Sequence, residues 1–249
     1  MRLLRWRLKR LVIYWGSRVG DSQELFFGDA ESDFLVYFCS ENVFNTKIEE
    51  MGYNLLKGKK GIIFGALNEM SIAWKVAERC LEEGAEIVLT NTPLSIRMGG
   101  IQEFAEKHHI PLIPADATSV EDLTNLLQES MKHFGGKVDF ILHSIGMSLN
   151  VRKKRSYDDL DYDFLQKTLD ISAVSFHKVL QCAKQLDAIN EWGSVVALSY
   201  VAAQRTMYEY NDMADAKAML ESIARSFGYI YGREKKVRIN TISQSPTMT

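Results

Sequence analysis

Only three of the 249 residues are cysteine, and Cys39, Cys80 and Cys182 lie far apart. That excludes a disulfide scaffold, offers no metal-ligand spacing and predicts a reducing, cytoplasmic setting. Long apolar runs are missing too. Leu11–Trp15 and Phe34–Cys39 fall far short of the ~18 residues that span a bilayer. Net charge is scarce, at −2, so no global field points to nucleic acid. What is plentiful is core-forming material. Hydrophobic residues make up 46% and charged residues 25%, too apolar for a disordered chain and ordinary for a folded one.

The charge is unevenly placed. Residues 1–20 carry Arg2, Arg5, Arg7, Lys9, Arg10 and Arg18 and no acid. Arg5, Arg7, Lys9 and Arg10 break the apolar core that a secretory signal needs. A basic amphipathic or organelle-targeting segment is one reading. The favoured one is that residues 1–50 are an extension outside the folded domain, with Met51 as its natural start. Asp21–Glu50 has no clean period, whereas residues 51–249 are strongly patterned and hold no repeat, low-complexity tract or linker.

Six short apolar runs alternate with helical stretches. Strands are expected at Gly61–Phe64, Glu86–Thr90, Pro111–Pro114, Val138–His143, Ser194–Ser199 and Val237–Ser243. Helices are expected at about Ser71–Glu83, Ile96–His108, Asp122–Phe134 with Ser119 as N-cap, Tyr162–Leu186 and Asn211–Tyr231. Strands without polar alternation are buried on both faces. The expected fold is therefore α/β, a Rossmann-like doubly wound parallel sheet with helices on both faces. In such a sheet the ligand lies beyond the carboxyl ends of the strands, where strand order reverses.

Those ends carry the chemistry. Gly65 follows the first strand, where a bare backbone and a helix N-terminus suit a pyrophosphate, although the full G-x-G-x-x-G is absent and Gly65 also suits a plain turn. Ser71 serves equally as a helix cap. No acid follows the second strand to bind a ribose; Asn91, Thr92 and Arg97 stand there instead. Asp116 either accepts from an adenine amino group or closes a turn before Ser119. His143 reads as a core strand residue. Tyr210 and Lys217 are seven apart, close to two helical turns, and so share a face. A lysine ammonium beside a phenol would favour the phenolate, and a tyrosine there can hydrogen-bond a developing oxyanion.

Taken in order, these elements resemble the NADH-type enoyl-[acyl-carrier-protein] reductases of bacterial type II fatty acid synthesis, a divergent branch of the short-chain dehydrogenases/reductases. The resemblance covers about Tyr53 to Thr249. It is carried by Gly65-Ala66-x4-Ser71-Ile72-Ala73, His143-Ser144-Ile145-Gly146, Leu198-Ser199-Tyr200, Tyr210-Asn211-x-Met213-x3-Lys217 and Arg238-Ile239-Asn240-x-Ile242-Ser243-x2-Pro246. Ordinary members of the wider family use Tyr-x3-Lys, and neither Tyr208 nor Tyr210 has a lysine four residues on.

The resemblance implies hydride transfer from NADH to the β-carbon of a trans-2-enoyl thioester held on acyl carrier protein, with NADPH not excluded. It implies that Tyr200, Tyr210 and Lys217 are catalytic, with Lys217 also on the cofactor ribose. Gly65, Ser71 and Ile72 would hold the pyrophosphate, Thr92 the adenosine ribose, and Asp116 and Ala117 the adenine. Ile145, Thr247, Met248 and Thr249 would surround the nicotinamide, and Ser148 would meet substrate. It also implies a homotetramer. The family pattern continues past the sixth strand for roughly 50–70 more residues of the usual domain. Residues 51–249 are therefore expected to be a C-terminally incomplete reductase whose last strand is missing. The alternatives are a non-catalytic nucleotide-binding relative and a short-chain reductase acting on a ketone.

Overall fold

Ile62, Ile63 and Phe64 are at most 1% exposed, a run that only a central strand can bury. The computed structural model describes residues 52–244 and, of the chain before them, the backbone at 13–15, 23–27 and 35–39. The chain divides into two units, Met1–Tyr53 and Asn54–Thr249. In the first, β1 (Ile13–Trp15), β2 (Gln23–Phe27) and β3 (Leu35–Cys39) form an antiparallel sheet with β2 in the middle. Two of these strands fall in a stretch whose sequence shows no clean period.

The second unit holds a parallel sheet in the order β5-β4-β6-β7-β8. Its strands are β4 (Lys60–Phe64), β5 (Glu86–Thr90), β6 (Val138–His143), β7 (Ile189–Tyr200) and β8 (Arg238–Gln244). β4 pairs with β5 on one side and β6 on the other, so strand order reverses at the end of β4. Side chains alternate between faces. Ile62 and Phe64 enter one apolar layer with Leu123, Leu126, Phe176 and Leu180. Ile63 enters the opposite layer with Trp74, Leu89, Ile101 and Phe104.

The helices are α1 (Ile72–Glu82), α2 (Pro93–Met98), α3 (Ile101–Lys107), α4 (Val120–Phe134), α5 (Leu149–Arg152), α6 (Tyr162–Leu169), α7 (Ser175–Gln185) and α8 (Asn211–Lys235). Ser119 caps α4 as expected, its hydroxyl accepting from Asp122 N at 3.2 Å.

Three expectations need correction. The third strand reduces to one bridge, Leu89 with Leu112. Pro111 and Pro114 flank it, and proline has no N–H to extend a ladder. The helix expected over Ile96–His108 is two helices, α2 and α3, broken at Gly99-Gly100. A Cβ on Gly99 would stand 2.3 Å from Leu67 O, so the break lets the chain close onto the loop after β4. The helix expected over Tyr162–Leu186 contains a π turn, Asp170–Val174, between α6 and α7. Such turns insert a residue and redirect side chains, frequently beside functional sites.

Candidate active site

The turn after β4 is built for close approach. Gly65 has φ +89°, and a Cβ there would lie 2.0 Å from Ser144 O. Any side chain would push the ends of β4 and β6 apart. Asn91 Nδ2 donates to Ala66 O at 2.9 Å and ties the same turn to the end of β5. Ser71 occupies the N-cap position of α1 but gives it no side-chain cap. Its hydroxyl instead closes the preceding loop, donating to Asn68 O at 2.7 Å and accepting from Leu67 N at 3.1 Å. The first-turn N–H groups of α1, with Ile72 leading, are left without a side-chain acceptor at the switch point, which is the arrangement that suits a phosphate. A glycine whose Cβ space is filled by neighbouring backbone and an uncapped helix start together fit a dinucleotide.

Farther along the strand ends, local structure absorbs several side chains. Thr92 caps α2, accepting from Ser95 N at 3.2 Å. Arg97 is exposed and donates to Pro93 O at 3.4 Å. Asp116 Oδ1 accepts from Thr118 N at 2.9 Å and Thr118 Oγ1 at 2.7 Å, the turn-closing role. Ala117 is buried beside it. Thr247, Met248 and Thr249 lie outside the described residues.

β6 ends in His143, fully buried, with Nε2 2.9 Å from Ser175 Oγ. Burial, with the Lys217 charge nearby, pushes its pKa down to about 3. It is a neutral core residue, as the sequence suggested. The next residues, Ser144–Met147, run beside α8: Lys217 Nζ lies 3.5 Å from where a Gly146 Cβ would stand. Ser172, from the π turn, accepts from Met147 N at 2.9 Å and donates to Met147 O at 3.1 Å. Ile145 packs half-buried against the core.

Tyr200 ends β7 and packs on Tyr210, ring centroids 4.6 Å apart and planes inclined at 44°. Lys217 is buried, and its Nζ donates to Leu198 O at 2.7 Å. Burial lowers the Lys217 pKa to about 8. Burial, with Tyr200 adding, pushes the Tyr210 phenol up to about 12. Of the two effects open to a lysine and a phenol so spaced, the raised phenol pKa favours the protonated donor over the phenolate. The ammonium is directed to a backbone carbonyl. A cavity of about 630 Å³ opens beside the start of α8, lined by Arg155, Tyr157, Ala202, Met207, Tyr208 and Asn211.

Two buried acids on α8 escaped the sequence reading. Glu221 accepts from Ser199 Oγ at 2.7 Å, next to Tyr200. Asp212 accepts from Ser148 Oγ at 2.6 Å. Ser148, expected at substrate, is turned inward and only 3% exposed. The available signal was an acid on the stripe Asp212, Ala216, Leu220, which otherwise faces the core.

The family model described as enoyl-(acyl carrier protein) reductase matches residues 65–249. Enoyl-[acyl-carrier-protein] reductase [NADH] 2 of Rhizobium meliloti is 34% identical over 197 residues, covering 78% of this chain and 71% of the relative. The enzyme [NADH] FabI of Rickettsia bellii is 35% identical over 200 residues, covering 80% and 74%. Among solved structures, the FabI–NADH complex from Alistipes finegoldii is 77% identical with TM-score 0.78, covering 79% of this chain and 70% of that one.

Proposed function

The chain belongs to the enoyl-(acyl carrier protein) reductase family, and from that membership we propose that it reduces the double bond of a trans-2-enoyl thioester carried on acyl carrier protein, using NADH. The observation that carries the reading is the convergence of a packed Tyr200–Tyr210 ring pair and a buried Lys217 on the end of the sheet that holds the Gly65 turn.

When bound, NADH supplies the hydride that goes to the β-carbon. Gly65, Ser71, Ile72 and the start of α1 would seat its pyrophosphate, with Thr92 toward the adenosine ribose and Asp116 and Ala117 toward adenine. Ile145, with Thr247, Met248 and Thr249, would contact the nicotinamide, and Lys217 would hold the ribose hydroxyls. Hydride addition places negative charge on the thioester oxygen. Tyr210, held protonated by burial, donates a hydrogen bond to that oxygen as the charge grows, while Tyr200 fixes its ring. A low-dielectric pocket strengthens that bond, and a fixed phenol spares the cost of reorganising water.

We further read the protein as a cytoplasmic homotetramer. The assembly rests on the family resemblance of the sequence, and the free, buried Cys80 and Cys182 suit a reducing compartment. No described helix is long and apolar enough to cross a membrane. The test is NADH oxidation with a crotonyl thioester by the full chain. Consumption dependent on the thioester supports the function; NADH binding without turnover would leave only a nucleotide-binding module.

A further inference from the structure

Asp212 is completely buried, two residues beyond Tyr210 in the first turn of α8. Among the described residues no lysine or arginine pairs with it. Its two oxygens face three neutral groups: Ser148 Oγ donates to Oδ1 at 2.6 Å, Asn150 Nδ2 donates to Oδ2 at 2.8 Å, and Thr168 Oγ1 lies 2.9 Å from Oδ2, its one proton shared with Phe164 O. A buried carboxyl group so held is costly to disturb, because its donors would lose their acceptor in a site water does not reach.

The donors come from three different places. Ser148 caps α5 and ends the Ser144–Met147 segment that passes Gly65 and Lys217. Asn150 lies on α5 and also accepts from Asp161 N at 3.1 Å, where α6 begins. Thr168 sits in the last turn of α6, just before the π turn whose Ser172 holds Met147. All three meet on the helix that carries Lys217 and begins beside Tyr210.

Resting on the reductase reading above, we propose that Asp212 is a positioning residue: it fixes the cofactor-facing segment 144–148 against Tyr210 and Lys217, with Ser148 acting through it rather than on substrate. The segment and α8 lie at ordinary packing distance. Lys217 Nζ and Met213 Cε already lie 3.5 and 3.7 Å from the Cβ position of Gly146. A displacement of about 1 Å between a hydride donor and the groups facing its acceptor costs up to about 100-fold in rate.

Asp212→Asn keeps the shape of the side chain but presents an N–H₂ to donors that need an acceptor. It is measured beside Thr168→Val, which removes a single donor and leaves Asp212 in place. Three readouts apply: kcat and KM for a crotonyl thioester, NADH affinity without thioester, and amide hydrogen exchange of the cofactor-free protein. Asp212→Asn is expected to lower kcat about 10- to 100-fold with the thioester KM within about twofold. It should weaken NADH binding and speed exchange at 144–151 while β4 and β7 stay protected. Thr168→Val should move each readout the same way by about two- to fivefold. The proposal is overturned if folded Asp212→Asn keeps kcat, NADH affinity and segment protection at wild-type values. It is also overturned if exchange rises equally in β4 and β7, which marks plain destabilisation. Should Asp212→Asn not fold, wild-type values in Thr168→Val overturn it. A wild-type protein without turnover would fail the reductase reading, while the exchange comparison would still decide the role of Asp212.

Discussion

Replacing Lys217 by methionine should make the protein more stable while removing its activity. Lys217 is 6% exposed, and burial takes its pKa from the ordinary 10.5 to about 8. At about 1.4 kcal/mol per tenfold change in proton affinity, holding it charged at neutral pH costs the native state about 3 kcal/mol. Methionine fills similar volume without that cost but leaves Leu198 O without its donor, a loss of about 1–3 kcal/mol. The net expectation is a gain of about 0–2 kcal/mol near pH 7, seen as a Tm higher by up to a few degrees. The pH dependence is the sharper signature. Below about pH 8 Lys217 is protonated in both folded and unfolded chains, so the cost is fully present. Between about 8 and 10.5 the unfolded chain binds the extra proton, so wild-type stability rises with pH. The variant lacks this rise, and its advantage should vanish or reverse by about pH 10. Urea unfolding of both proteins at several pH values measures the difference, with NADH titration alongside. Parallel stability curves from about pH 7 to 10 would refute the reasoning, since the ammonium would then carry no burial cost.

Tyr210→Phe should lower kcat on a crotonyl thioester by about 100-fold or more with NADH affinity little changed, because it removes only the oxyanion donor. In the wild type, activity lost above about pH 8 should follow deprotonation of Lys217; the Tyr210 phenol, at about 12, keeps its proton throughout that range. Gly65→Ala should abolish measurable NADH binding and lower the Tm, since it adds both a strained φ of +89° and a 2.0 Å clash with Ser144 O. Asn91→Ala should cost about 1 kcal/mol of stability and weaken NADH binding severalfold, by freeing the Gly65–Ala66 turn from β5; titration calorimetry reads both variants.

The sheet could be read from the sequence because its central strands bury both faces. Ile62-Ile63-Phe64 and Val88-Leu89 admit no amphipathic alternative. The helix breaks were harder. Gly99-Gly100 was visible as a pair, but its reason, the nearness of Leu67 O, exists only in three dimensions. Asp170–Val174 holds no glycine or proline to mark a break, so its π turn reads in sequence as continuous helix. At the site, the spacing of Tyr210 and Lys217 was legible, whereas their electrostatics was not. Lys217 donates to Leu198 O, a partner distant in sequence, and the Tyr210 phenol is pushed up by its burial and by Tyr200. Asp212 was hidden for the same reason. Its donors lie 44 to 64 residues away, beyond any local pattern.

The π turn between α6 and α7 has a consequence for how this segment can change over generations. Each helical residue turns the chain by about 100°, so one additional residue shifts the phase of everything that follows. Thr168 before the turn reaches Asp212, and Ser172 and Ser175 within and after it reach Met147 and His143. A single-residue deletion between 170 and 174 would close the π turn into an unbroken α-helix and withdraw the position from which Ser172 holds Met147. Point substitutions on the outer surface of α7 leave that phase untouched. This stretch should therefore accept many exchanges of side chain while holding its length fixed.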